Sequence, residues 1–126
     1  MVDGNTELSE QIIGCAIEVH RVLGPGLPEV VCETALCMEL ESRVLAFKRQ
    51  MGVPIYYKGQ LLSQYYPDLI VADEIVVEVK SIERIADVHV AQVKTYLRIT
   101  SLKVGLIMNF NCATMRAGVR RVVLNA

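Results

Sequence analysis

Tryptophan is absent from the sequence of 126 residues, proline occurs only four times, and no long apolar run is present. A membrane span needs about 18 consecutive apolar residues, and a secretory signal needs a basic start followed by an apolar stretch. Neither pattern is found, so we expect a cytoplasmic protein that makes no membrane contact. The content of 52% hydrophobic and 21% charged residues is typical of a folded globular protein, and the length suits one domain.

Cysteine is also sparse, and none of the four cysteines forms a C-x-x-C pair. Each one lies in an apolar neighbourhood of the sequence. We therefore expect neither a zinc site nor a disulfide, and we predict that all four are reduced thiols of the core, namely Cys15, Cys32, Cys37 and Cys112.

A strong excess of positive charge is lacking, because 13 basic and 14 acidic residues leave a net charge of −1. This balance argues against an indiscriminate nucleic-acid binder. The charges are unevenly distributed, however: residues 42–126 carry 12 of the basic residues and only 6 of the acidic ones. The later part of the chain therefore predicts either a basic surface for an anionic partner or an ordinary solvated face.

Hydrophobic periodicity predicts the order helix, helix, three or four strands, helix, strand, strand. A stripe of apolar residues predicts a first helix over 6–23, and Pro28 in the first turn predicts a second helix that ends near 41–43. Runs of β-prone residues then predict an antiparallel meander, with strands over 44–48, 53–57, 65–71 and 75–79.

The rest of the chain predicts a third helix after Arg84, a buried strand over 102–108, a short turn or helix near 113–117 and an edge strand over 119–124. Apolar residues cover so wide an arc of the third helix that we expect it to be mostly buried. Together the elements predict a mixed α/β sheet with helices on both sides.

The two central runs, 69–71 and 75–79, are predicted to form a hairpin, because only a short polar break separates them. If the turn centres on Asp73, Val71 lies opposite Ile75. The hairpin needs this odd-length loop, or a bulge, because a shift of one residue would move every side chain to the other face.

Three ionisable residues of this hairpin would then share one face. Alternation along the strand places Glu78 and Lys80 on the same side, and the register places Asp68 opposite Glu78. Two carboxylates this close repel each other and lose solvation, a conflict that a divalent cation removes. Lys80 could orient an attacking water or contact the scissile phosphate. The alternative is a surface ion pair between Glu78 and Lys80, with Asp68 as a turn acid.

Pro67-Asp68, followed by Glu78-Val79-Lys80 ten residues after Asp68, resembles the signature of the PD-(D/E)XK nuclease superfamily. In that superfamily an acidic residue follows proline, and a D/E-x-K triplet lies on the next strand. The predicted hairpin, followed by a helix and a buried strand, also matches the superfamily's α-β-β-β-α-β core.

The resemblance extends along most of the chain. Gln92 and Tyr96 resemble the Q-x-x-x-Y element of the RecB-like branch, although the helical pattern alone would predict a buried amide and a core aromatic. Residues 12–110 are similar to the small bacterial GxxExxY proteins, whose naming motif falls at 26–32. Cys32 replaces the final tyrosine of that motif, so whatever the phenol does is missing here.

The resemblance implies a single restriction-endonuclease-like domain over 1–126 and a nuclease that hydrolyses phosphodiester bonds with Mg²⁺ or Mn²⁺. Its substrate would be nucleic acid, with DNA favoured over RNA. The implied metal ligands are Asp68, Glu78 and the backbone carbonyl of Val79. The implied catalytic residues are these two acids with Lys80, Glu29 and Gln92, and Tyr96 would bind substrate.

Glu29 is the acid expected to approach the metal from the second helix, and Glu33, one turn further on, is the competing candidate. The alternative is that both acids are structural, and that their negative charges only stabilise the helix by lying near the positive end of its dipole.

A second function stays open from the sequence. So short a chain has little beyond its core to grip a substrate, so the alternative is a catalytically weak or inactive module with a nuclease fold, acting through a protein or nucleic-acid partner. A homodimer formed through an edge strand or through the first helices could supply the missing surface.

Overall fold

The computed structural model describes residues 6–124, and residues 1–5 and 125–126 lie outside it. Within this range the α-helices are α1 (Thr6–Leu23), α2 (Glu29–Ser42) and α3 (Asp87–Thr100). A short 3-10 helix spans Met115–Gly118. The strands are β1 (Phe47–Arg49), β2 (Val53–Tyr57), β3 (Gln60–Tyr65), β4 (Leu69–Val71), β5 (Ile75–Lys80), β6 (Val104–Asn109) and β7 (Val119–Val123).

Five of these strands form one mixed sheet in the order β1-β4-β5-β6-β7, and β2 and β3 form a separate antiparallel pair. β5 lies in the centre, antiparallel to β4 and parallel to β6. A parallel neighbour requires a crossover connection, and α3 provides it. The predicted mixed α/β sheet with helices on both sides is confirmed.

Each face of the large sheet carries its own hydrophobic cluster. α1 and α2 cover one face, where Ile12 and Leu36 pack with alternate sheet residues such as Val77. α3 covers the other face. There Val93 and Leu97 pack with the intervening residues of the strands, such as Val76 and Ile107, whose side chains point to that face. Because both faces are covered, β6 is buried along its whole length, which explains its near-continuous apolar sequence.

The predicted strand over 65–71 is wrong, because the chain leaves β3 at Tyr65 and starts β4 only at Leu69. Pro67 lies in the gap and has no N–H to donate to a strand ladder. The predicted simple meander is wrong as well. β1 pairs with β4, with Phe47 opposite Val71, and not with the strand that follows it in sequence.

The pair β2–β3 is a hairpin between the neighbouring strands β1 and β4. At its base, the Gln50 N–H donates to the Asp68 carbonyl at 2.9 Å. At its tip, Lys58 and Gly59 form a two-residue turn with φ of 48° and 82°, the positive values that suit tight hairpins. Every residue of β3 is exposed, so the hairpin stands out from the sheet.

The prediction that α3 is mostly buried is also wrong. Only Val93, Tyr96 and Leu97 of the helix are buried, and Val88 is 69% exposed. The helix contacts the sheet along one side, and two of its exposed apolar residues, Val88 and Ala91, border a groove described below. Among the residues described, no helix is long and apolar enough to cross a membrane.

All four cysteines are free thiols. Cys15, Cys32 and Cys37 are buried and Cys112 is half-buried. Burial raises the pKa of all four thiols, so they behave as small apolar side chains and not as thiolates.

Candidate active site

The hairpin of β4 and β5 has the predicted register, with Val71 opposite Ile75 and Leu69 opposite Val77. Its turn holds three residues, and two of them, Ala72 and Asp73, have a φ of 54°. Such a loop keeps the odd spacing that places residues of equal parity on one face. The two strands therefore direct Asp68, Glu78 and Lys80 toward the α3 side of the sheet.

Asp68 and Glu78 interlock directly before the start of β4. The backbone N–H of Asp68 donates to Glu78 Oε2 at 2.7 Å, and the backbone N–H of Val79 donates to Asp68 Oδ2 at 2.8 Å. The N–H and C=O of one strand residue point to the same edge of that strand. The Val79 carbonyl therefore points to the side where Asp68 lies. The two carboxylates and this carbonyl thus place oxygen atoms that can bind a metal within one small region.

Both carboxyl groups hold their protons more strongly than usual. Burial, followed by the charge of Asp68, raises the pKa of Glu78 to about 8. Burial and the nearby charge of Glu33 raise the pKa of Asp68, although the hydrogen bond from Val79 opposes this. Two negative charges are therefore costly here unless a cation accompanies them.

Lys80 supplies part of that positive charge. Its Nζ lies 4.0 Å from Glu78 Oε1, and it donates to Gln92 Oε1 at 3.4 Å. Its side chain is only 17% exposed. The lysine therefore lies between the carboxylate pair and α3, which is not the exposed surface ion pair of the alternative interpretation.

α3 brings Gln92 and Tyr96 to the same place. Gln92 is exposed and reaches Lys80, whereas Tyr96 is buried. Burial and the charges of Glu78 and Asp68 raise the pKa of Tyr96 to about 12, so the phenol keeps its proton at neutral pH. The ring of Tyr65 meets that of Tyr96 edge to face, with 6.1 Å between centroids.

Glu29 and Glu33 lie at different parts of the site. Glu29 is exposed and accepts a hydrogen bond from the Ser81 N–H at 3.1 Å, directly after Lys80. Glu33 is buried and forms an ion pair with Arg49 at 2.6 Å. It is Glu33, not Glu29, whose charge raises the pKa of Asp68 and Glu78.

Arg49 and Gln50 belong to the site but were not expected from the sequence. Gln50 Nε2 donates to Asp68 Oδ1 at 2.9 Å and lies 3.4 Å from the carboxylate of Glu33. The bridge forms because β1 docks beside β4, a pairing that local sequence patterns do not reveal. The sequence gives no local signal for it, because the burial of Glu33, which calls for a cationic partner, is itself a result of folding.

The oxygen donors fit a hard divalent cation. Among residues 6–124, no group of three or more His, Cys, Asp or Glu side chains could hold a metal ion. The nearby carboxylate of Glu33 already pairs with Arg49. Mg²⁺ however needs only one or two carboxylates, with waters and substrate phosphate oxygens completing its shell. Asp68, Glu78 and the Val79 carbonyl match that requirement.

The family model of the PD-(D/E)XK nuclease superfamily matches residues 6–122, which include every element from α1 to β6 and most of β7. No curated protein and no solved structure matches the chain.

Proposed function

The chain belongs to the PD-(D/E)XK nuclease superfamily, and from this membership we propose that it is a nuclease that hydrolyses phosphodiester bonds with the help of Mg²⁺ or Mn²⁺. The mixed sheet with its flanking helices is consistent with the restriction-endonuclease-like fold of that superfamily. The observation that carries the proposal is the interlocked pair of Asp68 and Glu78 beside Lys80.

Asp68, Glu78 and the Val79 carbonyl would hold the cation. When bound, the cation supplies positive charge that stabilises the charge developing on the phosphoryl group during hydrolysis. The Asp68 N–H and the Val79 N–H each hold one carboxylate oxygen of the pair. Of the other two oxygens, Asp68 Oδ1 also accepts a hydrogen bond from Gln50 Nε2 at 2.9 Å, which leaves it a second lone pair for a cation, and Glu78 Oε1 faces Lys80 Nζ at 4.0 Å. The backbone and Gln50 thus preorganise the site.

Lys80 would contact the scissile phosphate and orient the attacking water, and its contact with Gln92 limits the directions that Nζ can take. Gln92 is exposed and would thus act both on Lys80 and on the substrate. Tyr96 would bind the substrate from the floor of the site. Glu29, which accepts the Ser81 N–H, would support the strand end that carries Lys80.

A cleavage assay tests the proposal. Purified protein with Mg²⁺ or Mn²⁺ should cut DNA or RNA substrates, and Glu78→Ala and Asp68→Asn should each lower the rate at least 100-fold. Glu78→Ala removes a ligand with its charge, whereas Asp68→Asn removes the charge and one of the two carboxylate oxygens. Circular dichroism and thermal unfolding should show that both variants fold.

Asp73→Asn is the matched control, because Asp73 is an acid of the same hairpin that lies in the exposed turn and pairs with Lys48. It should cleave like the unaltered protein. Undiminished cleavage by Glu78→Ala would contradict the assignment.

One observation favours a second candidate, a module with weak or no activity that works through a partner. The β2–β3 hairpin exposes Tyr56, Tyr57, Leu61 and Leu62, each more than half accessible to solvent. Apolar side chains clustered on one projecting element are typical of contact surfaces, either with another protein or with a second copy of the chain. Calorimetric titration separates the two candidates, since the module predicts no binding of divalent metal at millimolar concentration.

Finer assignments remain predictions of the sequence. These are membership of the GxxExxY group and of the RecB-like branch, and a preference for DNA over RNA. Assays with matched DNA and RNA strands address the last of them directly.

A further inference from the structure

A groove runs beside the candidate active site, between the end of β3 and the exposed side of α3. Its volume is about 620 Å³, within the range of roughly 300–1,000 Å³ that small-molecule sites occupy. Aromatic and amide side chains dominate its lining, including Gln64, Tyr65, Tyr66, Gln92 and Tyr96.

The groove is continuous with the catalytic residues. Gln92 lines it and also accepts the hydrogen bond from Lys80 at 3.4 Å. Tyr96 forms its floor, and the charges of Glu78 and Asp68 raise the pKa of this phenol, as expected for close neighbours. A ligand seated in the groove would therefore lie next to the phosphate that Lys80 contacts.

The walls offer aromatic side chains that the fold leaves partly exposed. Tyr66 is 53% exposed and Tyr65 is 42% exposed, although tyrosines in a protein of this size could pack into the core. Gly52 allows the wall to form, because a Cβ at that position would collide with the side chains of Gln64 and Tyr66. The backbone thus holds Gln64 and Tyr66 against β2 without closing the groove.

We propose that this groove binds an unpaired base of single-stranded nucleic acid, stacked on Tyr66 and Tyr65, so that the protein acts on single-stranded segments and not on continuous duplex. The proposal rests on the proposed nuclease function. In a duplex both faces of a base are covered by its neighbours, so a tyrosine ring can stack only on an unpaired or extruded base. Gln64 and Gln92 have amide groups that donate and accept hydrogen bonds, as base edges require.

Binding in EDTA tests the groove separately from catalysis. Three labelled ligands of equal length are titrated in fluorescence anisotropy: an oligothymidine strand, a duplex, and a strand of abasic sugars that keeps the phosphates. The base-bearing strand should bind at least about 5-fold more tightly than the other two. Tyr66→Ala should weaken that binding about 5- to 100-fold and leave the abasic strand unaffected.

Two control variants sharpen the result. Tyr66→Phe keeps the ring and should bind like the unaltered protein. Tyr57→Ala removes a tyrosine of the same hairpin that is 59% exposed but does not line the groove, and it should change nothing. Because the sequence has no tryptophan and five tyrosines, tyrosine fluorescence gives a second signal of binding. A bound strand should quench this fluorescence less in Tyr66→Phe than in the unaltered protein, because the variant lacks the tyrosine on which the base stacks.

The outcomes distinguish the two proposals. Equal binding of duplex and single strand, or unaltered binding by Tyr66→Ala, would overturn the proposal that the groove binds a base, even if cleavage depends on Glu78. Binding of the single strand that depends on Tyr66, without cleavage in Mg²⁺ or Mn²⁺, would support base binding and reject the nuclease function.

Discussion

The carboxyl group of Glu78 couples the stability of the metal-free protein to pH. Its pKa of about 8 in the folded protein exceeds its ordinary value of 4.5, so the folded state holds a proton that the unfolded chain releases. The contribution to stability is complete below pH 4.5 and is lost as the pH rises through 8. Asp68, whose pKa is also raised, acts in the same direction.

Glu78→Gln should therefore flatten the pH dependence of unfolding. When the pH is raised from 5 to 9 in EDTA, the free energy of unfolding should fall in both proteins. The fall should be larger in the unaltered protein by about 2–4 kcal/mol, because the amide of the variant does not titrate. Urea unfolding at both pH values measures the difference. Parallel losses in the two proteins would show that Glu78 is ionised in the folded state throughout.

Single residues also show which contacts of the site can be predicted from the sequence. Strand alternation and an odd turn were sufficient to bring Asp68, Glu78 and Lys80 together, because both rules are local. The contacts of Glu33 with Arg49 and Gln50 were not predictable, because they depend on which strand lies beside β4. The exposure of Gln92 depends on which side of α3 faces the sheet, and the wide apolar arc of that helix does not determine the side.

The packing of α3 on β6 depends on a glycine. A Cβ at Gly105 would lie 2.5 Å from Val93 Cγ1 and 3.7 Å from Leu97 Cδ2. Gly105→Ala should therefore push α3 away from the sheet and lower the free energy of unfolding by about 1–3 kcal/mol, the usual cost of overpacking. Urea unfolding measures this loss.

Val93→Ala gives the matched test, because it removes the atom that a new methyl group would meet. In that background Gly105→Ala should cost at least about 1 kcal/mol less than it does alone. Additive losses in the double variant would place the strain elsewhere.

Whole elements were predicted well where periodicity and caps agree. The bounds of α1 match the expected 6–23, and α2 ends within the expected range. The strand over 65–71 was mispredicted, because Pro67 interrupts its run of β-prone residues. The strand predicted over 44–48 overlaps β1 only at Phe47 and Lys48, since the three residues of β1 are too few to show a period.

For the molecule as a whole, the candidate metal site joins parts that folding must first assemble. Asp68 comes from the start of β4, Glu78 from β5, and their supporting residues from α2 and α3. A cation that binds only this arrangement stabilises the folded state by mass action. If the Mg²⁺ concentration is ten times the dissociation constant, the gain is about 1.4 kcal/mol, which should raise the melting temperature by about 5 °C.

Differential scanning fluorimetry with MgCl₂, against NaCl of equal ionic strength, measures that shift. Glu78→Gln should abolish it, whereas Asp73→Asn should retain it. A shift of equal size in NaCl would mean that ions only screen the surface charges.

The position of the β2–β3 hairpin has a further consequence. Because β1 and β4 are neighbours in the sheet and Gln50 meets Asp68 at the base, residues 51–67 form an insertion whose two ends are already joined. Replacing this insertion by a short turn, or by a different hairpin, leaves the order of the five strands unchanged. Tyr65 and Tyr66, which would stack on a base, therefore lie in a part of the chain separate from Asp68, Glu78 and Lys80, so the insertion can be exchanged by evolution or by an engineer while these three ionisable residues are kept.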